Sequence, residues 1–354
     1  MTQHYYDVRL ERDLGEIRDQ VSQTAGLVAK AIRLSVDALE RRDNQLAYQT
    51  IVGDNPINRA VEECDRACHQ FVARHLPAAG HLRFISSVMR LNVGLERVGD
   101  YAVTVCRVVV KLNEEMDHET LERIKVIAVG STEMFEQAIA AFVAGNAELA
   151  RGTIAYESQI DRSYGAALKH ILATGIESSS NVADLYGKLV ILSALERISD
   201  QAKNICELTV FAETGETKQR KPVPVYFVDR DNSGLAPMAV SIARKAFPDH
   251  GVYTAASHSV SSEIDHEVVA EMERLGHNPR TVPRVLLSEL VSNMSSKAVI
   301  VLLDGEPGDD IGEVPFNASV LRWPLSREGG FEQLYRTMTA EIGDLMTTLR
   351  GEQP

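Results

Sequence analysis

Cysteine, proline and long apolar runs are scarce in this 354-residue chain, and each scarcity excludes a class of structure. Four cysteines without a secretory pattern predict no disulfide framework, and none follows Cys206, so thiol chemistry is excluded from the last third of the chain. The longest strongly apolar run, residues 298–303, is far shorter than the roughly 18 to 20 residues that span a bilayer. Because the N-terminus is polar as well, we expect a soluble, cytoplasmic protein.

Basic residues are too few for a protein that binds nucleic acid. The chain has 37 Lys and Arg against 50 Asp and Glu, which gives a formal net charge of -13. Proteins that bind the phosphate backbone concentrate basic residues on one face, so we do not expect nucleic acid as a partner. The hydrophobic content of 44% is nevertheless sufficient for large buried cores.

The distribution of proline divides the chain into two parts. Only Pro56 and Pro77 occur in the first 221 residues, whereas ten prolines follow. In the first part, apolar residues recur at three- and four-residue spacing, which predicts about six long helices in antiparallel bundles. The predicted helix breaks are residues 43–44, 77–81, 116–119, 145–146 and 177–181.

The second part alternates short apolar or β-branched runs with helical patterns. Strands are predicted at residues 223–228, 251–257 and 297–303, and a final helix at 331–349. Alternating strands and helices indicate a parallel sheet with helices on its faces. We therefore predict a multidomain chain: all-α tandem three-helix bundles at 1–116 and 117–214, a linker at 215–222, and an α/β three-layer domain with a parallel sheet at 223–354.

The helical part contains an internal duplication. LERVGDYAVTVC at 95–106 and LERISDQAKNIC at 195–206 lie 100 residues apart and are identical at six of twelve positions. An interval of this length indicates a duplicated domain rather than a solenoid repeat. Each copy places two carboxylates on one helix face, where they repel each other unless a cation lies between them. The two pairs are Glu96 with Asp100, and Glu196 with Asp200.

Preceding segments add further pairs at the same spacing, Glu157 with Asp161 and, with less charge, Asp54 with Asn58. Oxygen ligands of this kind suit hard cations. The alternative is that acidic residues at helical spacing form a solvated face, and that Asp54 caps a helix N-terminus. The cysteines, including the closely spaced Cys64 and Cys68, are predicted to be packing residues rather than metal ligands.

Over residues 4–214 the chain resembles the PhoU family of phosphate-uptake regulators. The resemblance rests on the duplicated motifs and on two segments that precede them, HYYDVRLERDLGEIRDQV and AYQTIVGDNPINRAVEE. The resemblance implies two three-helix bundles and a cytoplasmic regulator, often a homodimer. It also implies action with a phosphate ABC transporter ATPase and a sensor histidine kinase, and contact with the membrane only through these partners.

The resemblance further implies a bound metal, with iron, magnesium, manganese and zinc left open. Two departures concern the first bundle: His81 stands where the family commonly has Asp, and Asn58 stands where an acid is expected. The ligands that the resemblance assigns are Glu96, Asp100, Glu157, Asp161, Glu196, Asp200 and Asp54.

The segment VYFVDRDNSGLAPMAVSIARKAF resembles the start of the low-molecular-weight tyrosine phosphatase and arsenate reductase family, over residues 223–349. That family binds phosphate in a C-x5-R loop, and the alignment puts Asp229 at the thiolate position and Leu235 at the arginine position. WPLSRE at 323–328 also lacks the family's acidic residue. The resemblance therefore implies a catalytically inactive domain used for dimerisation or partner contact.

Other functions stay open at the level of the sequence. Asp229 and Asp231 form a D-x-D pattern, as in Mg-dependent phosphatases with an aspartate nucleophile, although strand ends often carry such residues as caps. A carboxylate-bridged metal oxidase needs E-x-x-H pairs within the bundle, and the two such pairs, beginning at Glu115 and Glu263, lie near a helix break and in the other domain. The last alternative is a metal-free adaptor.

Overall fold

The computed structural model describes two compact units, Met1–Lys218 and Gln219–Pro354. The boundary between them falls within the predicted linker. The described residues are 2–177, 181–217, 222–230, 234–259, 263–293, 298–303, 318–323, 325 and 329–351.

The first unit is all helical, and the five predicted breaks coincide with the ends of its helices, apart from residues 178–180, which lie outside the described ranges. Asp43, Asp117 and Asn181 cap the helices that follow them, because their side chains accept a hydrogen bond from the first helical turn. The helices are α1 (Thr2–Arg41), α2 (Asn44–Val52), α3 (Asp54–His75), α4 (Ala79–Val109), α5 (His118–Val143), α6 (Ala147–Glu177) and α7 (Val182–Thr214).

The prediction of about six long helices is confirmed, and one short helix was missed, because the segment after Asp43 forms two helices rather than one. α2 ends at Val52, and α3 begins after Gly53. Pro56 accounts for the break, since its ring would clash with the carbonyl of Val52 in a continuous helix. Asn55 Nδ2 donates to that carbonyl at 3.2 Å instead.

One continuous hydrophobic core joins these helices, and α7 packs against α4, α5 and α6. All four cysteines are buried and free, which confirms their predicted packing role. By length and composition α5 is the one helix of the described residues that would reach across a membrane, but 56% of its most apolar window is buried inside the unit. This burial is typical of a core helix.

The second unit is built on a five-stranded parallel sheet with strand order β3-β2-β1-β4-β5. The three predicted strands are present, and the short strands β3 and β5 add to them. The strands are β1 (Val223–Asp229), β2 (Gly251–Ser257), β3 (Arg284–Leu286), β4 (Val299–Leu302) and β5 (Ser319–Arg322). The helices are α8 (Leu235–Ala246), α9 (His266–Arg274), α10 (Leu287–Asn293) and α11 (Gly330–Arg350).

Side chains of the sheet alternate between two separate cores. Val225 and Phe227 belong to one core, with residues of α8, α9 and α11. Val228 and Ile300 belong to the other, with Leu287 of α10. Because successive residues of a strand face opposite sides of the sheet, this division confirms the predicted three-layer α/β arrangement.

Candidate functional site

The second copy of the duplicated motif contributes to a cluster of four carboxylates on two neighbouring helices. Glu157 and Asp161 lie one turn apart on α6, and Glu196 and Asp200 lie one turn apart on α7. Burial raises the pKa of Asp161, and the charges of Glu157 and Asp200 raise it further. The packing of α6 against α7 therefore brings the two predicted pairs into one electrostatic group.

Glu196 is the most perturbed carboxyl of this cluster. Burial raises the pKa of Glu196 to about 7, with further contributions from Asp200 and Asp161, while Arg197 opposes the shift. A glutamic acid with this pKa is partly protonated near neutral pH. Burial and the two neighbouring carboxylates thus disfavour the ionised form of Glu196.

Sequence reasoning missed Lys203, which lies next to this cluster. Its ammonium donates a hydrogen bond to Glu157. Burial opposes the charged form, but this bond and the charges of Glu157 and Asp200 raise the pKa of Lys203. Lys203 stands three residues after Asp200 and shares its helix face, and this spacing is the signal that would have indicated it.

A smaller cluster lies at the equivalent place in the first repeat. Asp54 is the first residue of α3, whose N-cap is Gly53, so the capping role considered for Asp54 was wrong. Its Oδ2 accepts a hydrogen bond from Asn58 Nδ2 at 2.9 Å, whereas its Oδ1 is buried without a hydrogen-bond partner. A side chain at Gly99 would approach this Oδ1 to 3.2 Å. Burial and the charge of Asp54 raise the pKa of Asp100 on α4.

Glu96 lies one turn before Asp100 on α4, at the position equivalent to Glu196. It is exposed on α4 and is not among the groups that shift the pKa of Asp100. Within the described ranges, no three His, Cys, Asp or Glu side chains form an arrangement that could hold a metal ion. The unpartnered buried oxygen of Asp54 and the oxygen-only donor set nevertheless have the chemistry that a hard cation requires.

The pKa of Glu196 predicts that the stability of the helical unit depends on pH. A carboxyl whose pKa is raised by folding contributes stability below its unfolded pKa, and this contribution is lost as pH rises, here between about pH 4.5 and about 7. We expect Glu196→Gln, which mimics the protonated acid, to be more stable than the native chain by about 1 kcal/mol at pH 8 and equally stable at pH 4.5, allowing for partial solvent screening. Urea unfolding followed by far-ultraviolet circular dichroism measures this difference.

Glu96→Gln is the matched control for Glu196→Gln, because Glu96 occupies the same position of the first copy and is exposed. This variant should leave the dependence of stability on pH unchanged. A Glu196→Gln variant whose stability follows the native curve across this pH range would contradict the burial of charge at Glu196.

In the α/β unit, the predicted phosphate-loop residue Asp229 stands at the carboxyl end of β1. It is 3% exposed, and its Oδ2 accepts a hydrogen bond from the backbone N–H of Ala236 at 2.8 Å. This N–H belongs to the first turn of α8, where helix N-termini attract anions. The carboxylate therefore lies where a helix N-terminus would receive an anion.

Several residues of the C-terminal predictions cannot be compared with the structure. Asp231, the second acid of the D-x-D pattern, lies outside the described residues, as do Pro324 and residues 326–328 of the WPLSRE segment. Leu235, at the predicted arginine position, is the first residue of α8 and is buried. No guanidinium is thus present at that position.

Comparison with known proteins adds four findings. The PhoU domain family matches residues 21–109 and 124–209. The phosphate-specific transport system accessory protein PhoU homolog of Pseudomonas aeruginosa is 32% identical over 214 residues, which are 60% of this chain and 88% of that protein. A crystal structure of PhoU from Pseudomonas aeruginosa is 31% identical and covers 58% of this chain and 99% of its own, with a TM-score of 0.56. An arsenate reductase structure from Archaeoglobus fulgidus is 23% identical and covers 36% of this chain and 99% of its own, with a TM-score of 0.28.

Proposed function

The chain belongs to the PhoU family, and on this premise we propose that it is a cytoplasmic regulator of phosphate uptake and of phosphate-starvation signalling. It acts as a homodimer through protein contacts with the ATPase of a phosphate ABC transporter, with a sensor histidine kinase, or with both. The relative from Pseudomonas aeruginosa, named as an accessory protein of phosphate-specific transport, supports the link to transport.

The acidic clusters are the feature from which we propose that this regulator binds metal. In the first repeat, Asp54 of α3 would hold a hard cation together with Glu96 and Asp100 of α4. Glu157, Asp161, Glu196 and Asp200 would do so in the second. When bound, the ion supplies positive charge that offsets the carboxylates and links two helices. The unpartnered Asp54 Oδ1 and the raised pKa of Glu196 support this proposal, because a cation would supply a partner for the buried oxygen and would offset the cost of ionising Glu196 close to Asp200 and Asp161.

The α/β unit serves in this proposal as a contact module without catalysis. Cysteine is absent after Cys206, so a cysteine nucleophile is not available in this unit. Asp229 also directs its own carboxylate to the N-terminus of α8, which disfavours a phosphate group at that position through charge repulsion. The unit would therefore contact a partner or a second copy of the chain.

We expect the tagged full chain, purified from its native cells, to retain metal and to capture a phosphate-transporter ATPase or a histidine kinase. Glu196→Gln/Asp200→Asn should remove the ion of the second repeat and leave that of the first, so the metal content should fall by about half. Elemental analysis and mass spectrometry of the captured proteins measure the two outcomes.

Glu62→Gln/Glu63→Gln removes two exposed acids of α3 and controls for the change in net charge. It should leave both metal content and captured partners unchanged. A native chain that contains no metal but still captures the ATPase or the kinase would contradict the metal site. That result would favour the alternative function of a metal-free adaptor. Failure to capture either protein would contradict the regulatory assignment itself.

A further inference from the structure

A cleft of about 520 Å³ opens between α4 and α7, on a part of the helical unit that the acidic clusters do not use. Its volume is within the range of small-molecule sites, about 300 to 1,000 Å³. We name it the α4–α7 cleft. Its polar lining consists of Arg90 and Arg97 from α4, Gln201, Asn204 and Glu207 from α7, and Thr217.

The cleft lies where the two copies of the duplicated motif differ. Gly94 lies beside Gln201, and Gly187 lies beside Val108, so α4 and α7 run antiparallel with the two motifs facing each other. Arg197 of the second copy lies over the ring of Tyr101, 5.9 Å from its centroid. The equivalent arginine of the first copy, Arg97, faces a position that holds Gln201 instead of an aromatic residue.

Two guanidinium groups of α4 line the cleft. Arg90 and Arg97 lie seven residues apart on one face of α4, and both are exposed. In the described part of the chain, neither forms a hydrogen bond, an ion pair or a ring contact. Two uncompensated arginines at one cleft are notable in a chain with a net charge of -13.

The chemistry of the lining favours a phosphate group. Guanidinium groups bind phosphate oxygens through paired N–H donors, and the Gln201 and Asn204 amides supply further donors. Phe211 adds an aromatic surface, and Glu207 adds a carboxylate that accepts hydrogen bonds from hydroxyl or amino groups but repels an anion. The two ends of the cleft therefore differ in charge.

From this arrangement we propose that the α4–α7 cleft binds a small organic phosphate of the size of a nucleoside monophosphate. The phosphate group binds at Arg90 and Arg97, and the polar groups of the organic part bind near Glu207. The lining of this cleft shares no residue with the acidic clusters.

Isothermal titration calorimetry of the full chain with AMP, adenosine and inorganic phosphate tests the proposal. We expect AMP to bind with a dissociation constant below about 1 mM and the other two to bind at least about tenfold more weakly. Adenosine that binds as well as AMP would overturn the role of the arginines. Inorganic phosphate that binds as well as AMP would overturn the assignment to an organic phosphate, and absence of AMP binding would overturn the site.

Two variants and one control test the position of the site. Arg90→Gln/Arg97→Gln should weaken AMP binding by at least about tenfold, because it removes both charge-assisted contacts. Gln201→Tyr, which restores the aromatic residue of the first copy, should fill the cleft and abolish binding. Arg197→Gln, at the equivalent arginine outside the cleft, should leave the affinity within about twofold of the native chain. Equal effects of Arg90→Gln/Arg97→Gln and Arg197→Gln on AMP binding would overturn the location of the site in the α4–α7 cleft. Because these arginines are exposed, their variants still test the location if Gln201→Tyr does not fold.

Discussion

Replacement of Lys203 by methionine is expected to lower the free energy of unfolding of the helical unit by about 2 to 3 kcal/mol at pH 8. Lys203 and its partner Glu157 have side chains that are only 23% and 14% exposed. Methionine retains much of the apolar contact of the lysine stem, but it leaves Glu157 and Asp200 without this cation. Removal of one member of a largely buried ion pair is costly because the remaining charge stays poorly solvated.

Urea unfolding in the presence of a chelator, followed by far-ultraviolet circular dichroism, measures this loss of stability. Lys203→Met/Glu157→Gln should recover most of it, since the second change removes the uncompensated charge. The loss should also shrink at acidic pH, where the carboxylates become protonated. Lys125→Met is the matched control, because Lys125 pairs with the more exposed Glu40 and Glu122. A loss no larger than that of Lys125→Met would show that Lys203 does not compensate the cluster.

The positions of the carboxylates were predictable from the sequence, whereas their neighbours were not. The duplication places Glu196 and Asp200 on one face of α7, and helical periodicity alone is sufficient for that prediction. Lys203 reaches Glu157 because α6 packs against α7, and no local pattern specifies this packing. The same limit applies to the α4–α7 cleft, because the change from Tyr101 to Gln201 matters only where two helices meet.

In the α/β unit, the buried strands were predictable because continuous apolar runs mark them. β5 was missed because three of its four residues are exposed, so its sequence has no apolar run. β3 has only three residues, all half-buried, which is too short for a periodic pattern. The role of Asp229 as a hydrogen-bond acceptor for α8 also depends on the turn between strand and helix, which residue types alone do not define.

Replacement of Asp229 by alanine is expected to lower the stability of the α/β unit by about 2 kcal/mol. The change removes the acceptor of the Ala236 N–H, a buried donor in the first turn of α8. Relief of the cost of burying a carboxylate offsets part of the loss. Trp323, the single tryptophan of the chain, is buried against Phe227 with ring centroids 5.8 Å apart, so its fluorescence reports unfolding of this unit.

Inorganic phosphate should stabilise Asp229→Ala more than the native chain, because the variant leaves the N-terminus of α8 without its internal anion. The measurement compares the melting temperature of the Trp323 transition in phosphate and in chloride at equal ionic strength. Asp229→Asn is the control: it keeps a hydrogen-bond acceptor for Ala236 without the charge, and we expect a smaller loss of stability than for alanine. Equal stabilisation of the native chain and Asp229→Ala by phosphate would show that the Asp229 carboxylate does not occupy an anion position. The proposal that this carboxylate disfavours phosphate at the N-terminus of α8 would then be wrong.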